Sequence, residues 1–156
     1  MGKSLIALSI FIVITAIVAG LFLVDGPGAE RRYRLDGQRI KDLDLLAAAV
    51  DCYWTLHDRL PKTLDELAAR MAVSTASKPL PRLCRYARSF DPETEMPYRY
   101  RAVDARRFDL CAEFAVSTRN RRARTSRPKP GFTRRAWQHD KGAHCFQLTA
   151  AKVKIQ

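Results

Sequence analysis

A chain of 156 residues has room for one modest domain beside any membrane segment. Its 28 Lys and Arg against 16 Asp and Glu give a net charge of +12, a balance that suits acidic partners and says nothing of fold. None of the four cysteines (52, 84, 111 and 145) belongs to a Cys-x-x-Cys or Cys-x-x-Cys-His unit, and no Gly-x-Ser-x-Gly, phosphate loop or His-Glu-x-x-His occurs. Thioredoxin-like redox chemistry, c-type haem attachment and the common hydrolase and nucleotide-binding classes therefore have no support.

The first element is apolar. Leu5 to Val24 run twenty residues without a charge, enough as a helix to cover roughly 30 Å. The run exceeds the about 7–15 apolar residues of a cleaved signal peptide. The expectation is an uncleaved transmembrane helix in residues 1–25, followed by one domain over residues 26–156. Asp25-Gly26-Pro27-Gly28 should break the helix. Lys3 precedes the run, whereas Arg31, Arg32, Arg34, Arg39 and Lys41 follow it, so a positive-inside count opposes translocation. An even set of dispersed cysteines argues the other way, for two disulfides in an oxidising compartment.

From Glu30 to about Arg59 the pattern is helical. Ile40, Leu43, Ala47, Val50 and Trp54 form one apolar stripe, widened by Leu46 and Tyr53, and Leu45, Ala49, Cys52 and Leu56 form a second on roughly the opposite side. A helix apolar on two faces is covered twice, here by a sheet and by a loop. Pro61 should stop it. Thr63 then caps a short helix, with Glu66 three positions on as a capping box and Leu64 and Leu67 facing inward. Residues 72–92 read as a loop punctuated by Pro79, Pro81 and Pro92.

Strands follow. Tyr98, Tyr100 and Ala102 alternate with polar neighbours, and a turn at residues 104–107 leads into Phe108, Leu110, Ala112, Phe114 and Val116, alternating with Asp109, Cys111, Glu113 and Ala115. In a last strand Phe146 and Leu148 alternate with Cys145 and Gln147. Four cysteines permit three pairings. Period two turns Cys111 and Cys145 away from their apolar neighbours, which favours that pair and leaves Cys52 with Cys84.

Between these strands, residues 119–135 hold eight basic residues and no acid: Arg119, Arg121, Arg122, Arg124, Arg127, Lys129, Arg134 and Arg135. Pro128 and Pro130 deny the stretch regular structure. It reads as an exposed hairpin loop facing solvent, anionic lipid or an acidic protein. Nucleic acid is disfavoured because Phe132 is the only aromatic side chain there to stack a base.

The layout of apolar helix, continuing amphipathic helix, loop and small antiparallel sheet resembles type IV pilins and pseudopilins. The stretch Asp36–Leu67 resembles major pseudopilins of type II secretion, through Arg39, Asp42-Leu43, Ala49-Val50-Asp51, Tyr53, Leu60-Pro61 and Leu64-Asp65-Glu66-Leu67. Downstream, Asp91-Pro92, Pro97-Tyr98, Tyr100 and Phe108-Asp109-Leu110 resemble the hairpin of that family. The prepilin signal, a Gly with a Glu at the fifth position after it, is missing: Gly2 has no such Glu, and Gly20 with Asp25 lies where the apolar run ends. The Asp-rich calcium loop is missing too.

The expected fold is α+β: a transmembrane helix, then an amphipathic helix packed on a small antiparallel sheet, pilin-like. No cofactor, metal or catalytic set is expected. His57 sits near a helix end, where a cation suits the macrodipole, and His144 and Cys145, as strand neighbours, face opposite ways. Zinc on Cys84, Cys111, His144 and Cys145 matches no finger or ribbon spacing. The functional expectation is a single-pass protein of a bacterial inner membrane with a periplasmic C-terminal domain, touching lipid through residues 5–24. It would act through protein contacts in a membrane complex or a secretion or pilus-like apparatus. The alternative is a binding module that uses the basic loop for anionic headgroups or another anionic polymer.

Overall fold

In a computed structural model, residues 2–23, 27–77, 84, 89–118 and 136–153 are described. Three helices, α1 (Gly2–Leu23), α2 (Pro27–His57) and α3 (Leu64–Ser77), precede three strands, β1 (Arg99–Ala102), β2 (Arg107–Phe114) and β3 (Gly142–Thr149). The chain divides into two compact units, Met1–Arg34 and Leu35–Gln156.

The first unit holds α1, whose described side chains, residues 6–20, are all exposed and, Ser9 and Thr15 apart, apolar. Ser9 and Thr15 turn their hydroxyls back onto the carbonyls of Ile6 and Phe11, so both polar groups are satisfied within the helix. The expected membrane span is corrected here: among the described residues no helix is long and apolar enough to cross a membrane. The described residues thus form an α+β fold with three helices and a three-stranded antiparallel sheet, with no membrane-spanning helix among them.

In the second unit, every α2 residue from Leu46 to Trp54 is buried, as expected of a helix covered on two sides. The helix ends earlier than Pro61. Asp58 adopts a left-handed backbone (φ 52°) and its N–H bonds the Trp54 carbonyl at 2.8 Å, a stop that a short polar side chain tolerates. Thr63 caps α3, its hydroxyl accepting the Glu66 N–H at 3.1 Å. The Glu66 carboxylate returns to the Lys62 N–H at 2.7 Å, one residue earlier than a standard capping box. The expected loop at residues 72–92 begins later, because α3 continues to Ser77 with Met71 buried in the core.

The sheet has the order β1-β2-β3, antiparallel throughout. Tyr100, Phe108, Leu110, Phe114, Phe146 and Leu148 face the core shared with Leu43, Val50, Tyr53 and Leu67. Strand β2 stops at Phe114, short of the expected Val116. The N–H groups of Ala115 and Val116 donate to the two oxygens of Asp36, at 3.1 and 2.9 Å, instead of to a neighbouring strand.

Candidate functional site: the outer face of the sheet

Helix α2 grips the rest of its unit with a row of polar side chains. Asp36 takes the two amides after β2. Asp42 accepts the Tyr98 hydroxyl at 3.1 Å, and Asp44 accepts the Trp137 indole N–H at 3.1 Å. Asp51 accepts the Ala151 N–H at 3.0 Å, and the Thr55 hydroxyl accepts that of Val153 at 3.1 Å. Buried polar groups persist where they are hydrogen-bonded, and these bonds fix the sheet and the segment after β3 against the helix.

Arg39 is the strongest of these clamps. Its side chain is 4% exposed. Nε and Nη2 reach the two carboxylate oxygens of Asp91 at 2.5 and 3.0 Å, Nη1 donates to Asp36 at 2.8 Å and Nη2 also to Glu93 at 2.9 Å. Such a fork suits a guanidinium and not an ammonium. The hydrogen bond to Asp91 raises the Arg39 pKa further above its ordinary value. Burial alone would raise the Asp91 carboxyl, but Arg39 and the N–H groups of Thr94 and Glu93 bring it down to about 2.

Asp91 in turn shapes a short hairpin. Tyr98 N–H donates to the Ser89 carbonyl at 2.7 Å and Asp91 N–H to Met96 at 2.8 Å. Phe90 and Met96 remain 51% and 66% exposed on this hairpin. The Tyr98 hydroxyl is pushed well above its usual pKa, first by burial and then by Asp42, and so stays a protonated donor.

With one sheet face committed to the core, the other carries Arg99 and Arg101 of β1, Asp109, Cys111 and Glu113 of β2, and Cys145 and Gln147 of β3. Arg101 bonds Asp109 at 2.7 Å, whereas Arg99, Glu113, Cys145 and Gln147 are exposed. Two open grooves flank the first residues of β1. One, of about 750 Å³, is lined by Thr63, Leu64, Tyr98, Arg99, Cys111 and Cys145 among others. The other, of about 820 Å³, includes Arg39, Glu93, Arg99, Cys111, Glu113 and Lys141.

The four cysteines form two disulfides, Cys52–Cys84 and Cys111–Cys145. Cys111 and Cys145 are directly opposite in the ladder, with Cα atoms 4.0 Å apart, the close approach of a non-hydrogen-bonded pair. No protein-family profile, curated protein or solved structure matches the chain. The likeness to pseudopilins thus rests on the short motifs around Asp36–Leu67 and Asp91–Leu110.

The histidines fall into packing roles. His57 lies 4.4 Å from the Tyr53 ring, and burial lowers its pKa. His139 stacks on Phe114 at 3.6 Å, and burial lowers its pKa. His144 pairs with Ala112 on the core side and meets the edge of Phe146, so it does not share a face with Cys145. Among the described residues no group of three or more His, Cys, Asp or Glu is placed to hold a metal. The expected anion-binding residues Arg119, Arg121, Arg122, Arg124, Arg127, Lys129, Arg134 and Arg135 lie outside the described residues.

The sequence singles out Asp36 and Asp51 only as members of the pseudopilin-like motifs and Asp44 not at all, although their spacing offers a signal. At 100° per residue they fall within about 80° of one another, from the centre of the Ile40–Trp54 stripe at Asp36 to its flank at Asp44 and Asp51.

Proposed function

We propose that the chain is a non-enzymatic, extracytoplasmic protein-contact module, with its apolar first helix against lipid and the outer face of its sheet against a protein partner. The observation that carries this reading is the outer face itself. It is exposed, mixed in charge, and bordered by two grooves and by the exposed Phe90 and Met96. Clamps from α2 hold the segments beneath it, so a partner meets a preorganised surface and little ordering entropy is lost. Two disulfides support an oxidising compartment. The exposed apolar side chains of α1 support a lipid contact, since a helix apolar on all sides requires an apolar surround. The pseudopilin resemblance supports a place as an accessory piece of a secretion or pilus-like apparatus.

Site-specific photocrosslinking in the native membrane tests this. A crosslinker at Gln147 or Met96 should give one discrete protein adduct, and one at Arg70, exposed on α3, should give none. Equal labelling from all three positions, or adducts with lipid alone, refutes the reading.

A second reading is favoured by the charge of residues 119–135, eight basic residues without an acid. That segment would bind anionic headgroups or another anionic polymer, each Lys or Arg near a membrane contributing about 1 kcal/mol. Binding of the full chain to phosphatidylserine vesicles should then weaken steeply with salt and with Arg121, Arg122 and Arg124 all replaced by Ser. Retained vesicle binding in that variant refutes it.

A further inference from the structure

The two disulfides sit in opposite environments. Cys52 and Cys84 are both 0% exposed. Cys111 is half-buried and Cys145 exposed, on the face that the core leaves uncovered. Thiol–disulfide exchange proceeds by attack of a thiolate in line with the S–S bond, so access behind one sulfur and stabilisation of the other decide whether it runs.

Sheet order supplies both. The bond joins facing residues of β2 and β3, and so runs across the strands. Beyond Cys145 lies the edge of the sheet, because β3 is terminal in the order β1-β2-β3. Beyond Cys111 lies β1, with Arg99 directly opposite Cys111 on the same face. Among the described residues a nucleophile thus has an open approach to Cys145, and a cationic residue, Arg99, faces across the ladder and lines the same groove as Cys111, whose sulfur must leave. A neighbouring guanidinium favours a thiolate, and a better-stabilised leaving thiolate departs faster.

We propose that Cys111–Cys145 is a thiol-exchange site for an external protein dithiol, with Cys145 the attacked sulfur, Cys111 the leaving sulfur and Arg99 its positioning cation. The incoming thiolate forms a bond to Cys145 Sγ as the Cys145–Cys111 bond breaks, and the electron pair leaves on Cys111 Sγ. The second thiol of the dithiol, deprotonated, then attacks its own sulfur in the mixed disulfide and releases Cys145 as a thiolate. Two electrons pass to the Cys111–Cys145 pair and the dithiol ends as a disulfide. The strands remain paired meanwhile, since β2 and β3 share eight facing residue pairs. The site shares the outer sheet face with the proposed partner surface, but its test reads the isolated chain, so the exchange can fail while the partner contact stands, and the reverse.

The purified full chain, in detergent, is exposed to dithiothreitol at pH 8, quenched by alkylation at intervals and mapped by peptide mass. Cys111 and Cys145 should be alkylated at least tenfold faster than Cys52 and Cys84, with tryptophan fluorescence still native. Glutathione in place of dithiothreitol should be captured on Cys145. Replacing the exposed Arg99 by Gln should slow opening by roughly threefold, and Arg99→Lys should restore it. Equal rates for the two bridges, glutathione on Cys111, or an Arg99→Gln rate equal to that of the parent would each overturn the proposal.

Discussion

Replacing Arg39 by Leu removes one cation from three carboxylates and tests how the second unit is held. Asp36 and Asp91 have side chains 5% and 9% exposed, so the change strands two buried anions, while Glu93, at 45%, can turn to water. Asp36 keeps the amides of Ala115 and Val116, and Asp91 keeps those of Glu93 and Thr94. These retained bonds set the cost near the lower end of the range for breaking a buried ion pair, about 3 kcal/mol at pH 7. Arg39→Lys should cost less, because an ammonium keeps the charge but cannot span the three partners as a fork does.

The pH dependence separates charge from packing. The folded state lowers the Asp91 carboxyl from 3.8 to about 2, which favours folding by about 2 kcal/mol at neutral pH. For a depressed carboxyl the contribution is complete above the unfolded value and fades as pH falls through the folded one. Without Arg39 the burial of Asp91 is less offset, so its carboxyl rises and takes up a proton at a pH where the parent protein still holds it charged. The cost of Arg39→Leu should therefore shrink by about 1 kcal/mol between pH 7 and pH 3. Urea unfolding of the full chain in detergent, followed by Trp54 and Trp137 fluorescence at both pH values, reads both numbers. A cost below about 1 kcal/mol at pH 7, or an equal cost at pH 3, refutes the assignment of Arg39 as the counter-ion that makes these burials tolerable.

Two further outcomes are expected. Leu67→Ala, at a core position of α3 that is 0% exposed, should lower stability by about 2–5 kcal/mol in the same urea titration. The Glu66 carboxyl is lowered to about 2 by Arg59, the Lys62 amide and Tyr53, so an NMR titration should place its midpoint far below that of an exposed glutamate, and Arg59→Gln should move it upward.

What the sequence made legible is what repeats locally. Strand alternation put Cys111 and Cys145 on one face, and the ladder joins them. Thr63 with Glu66 marked the start of α3. The double stripe on α2 announced burial on two sides. Long-range partners left no such trace. Arg39 and Asp91 stand 52 residues apart, and nothing in the local period of either says they meet. The same holds for the end of β2. Alternation alone carries the strand to Val116, but Asp36, roughly 80 residues away, takes the amides that a longer neighbouring strand would have used. α3 outran its expected end because Met71 adds a third inward position to Leu64 and Leu67, and packing overrides the weak helix propensity of the β-branched Val73 and Thr75. The apolar run at residues 5–24 reads as a membrane span in the sequence, whereas among the described residues no helix is long and apolar enough to cross a membrane.

These long-range bonds also explain why the outer sheet face is available. The polar clamps of α2 all act on the core side, on segments that flank the strands: residues 89–98, 115–116, 137 and 151–153. None of them crosses to the face that carries Arg99, Glu113, Cys145 and Gln147. The sheet is thus fixed by its margins, and among the described residues its outward side chains show no polar link except Asp109 with Arg101 and the Cys111–Cys145 bridge. A surface held in this way can change its charges or its sulfur chemistry at little cost to the core. Substitution of Glu113 or Gln147 should accordingly alter partner binding without moving the urea midpoint, whereas any loss from Asp36 or Asp51 should appear first in stability.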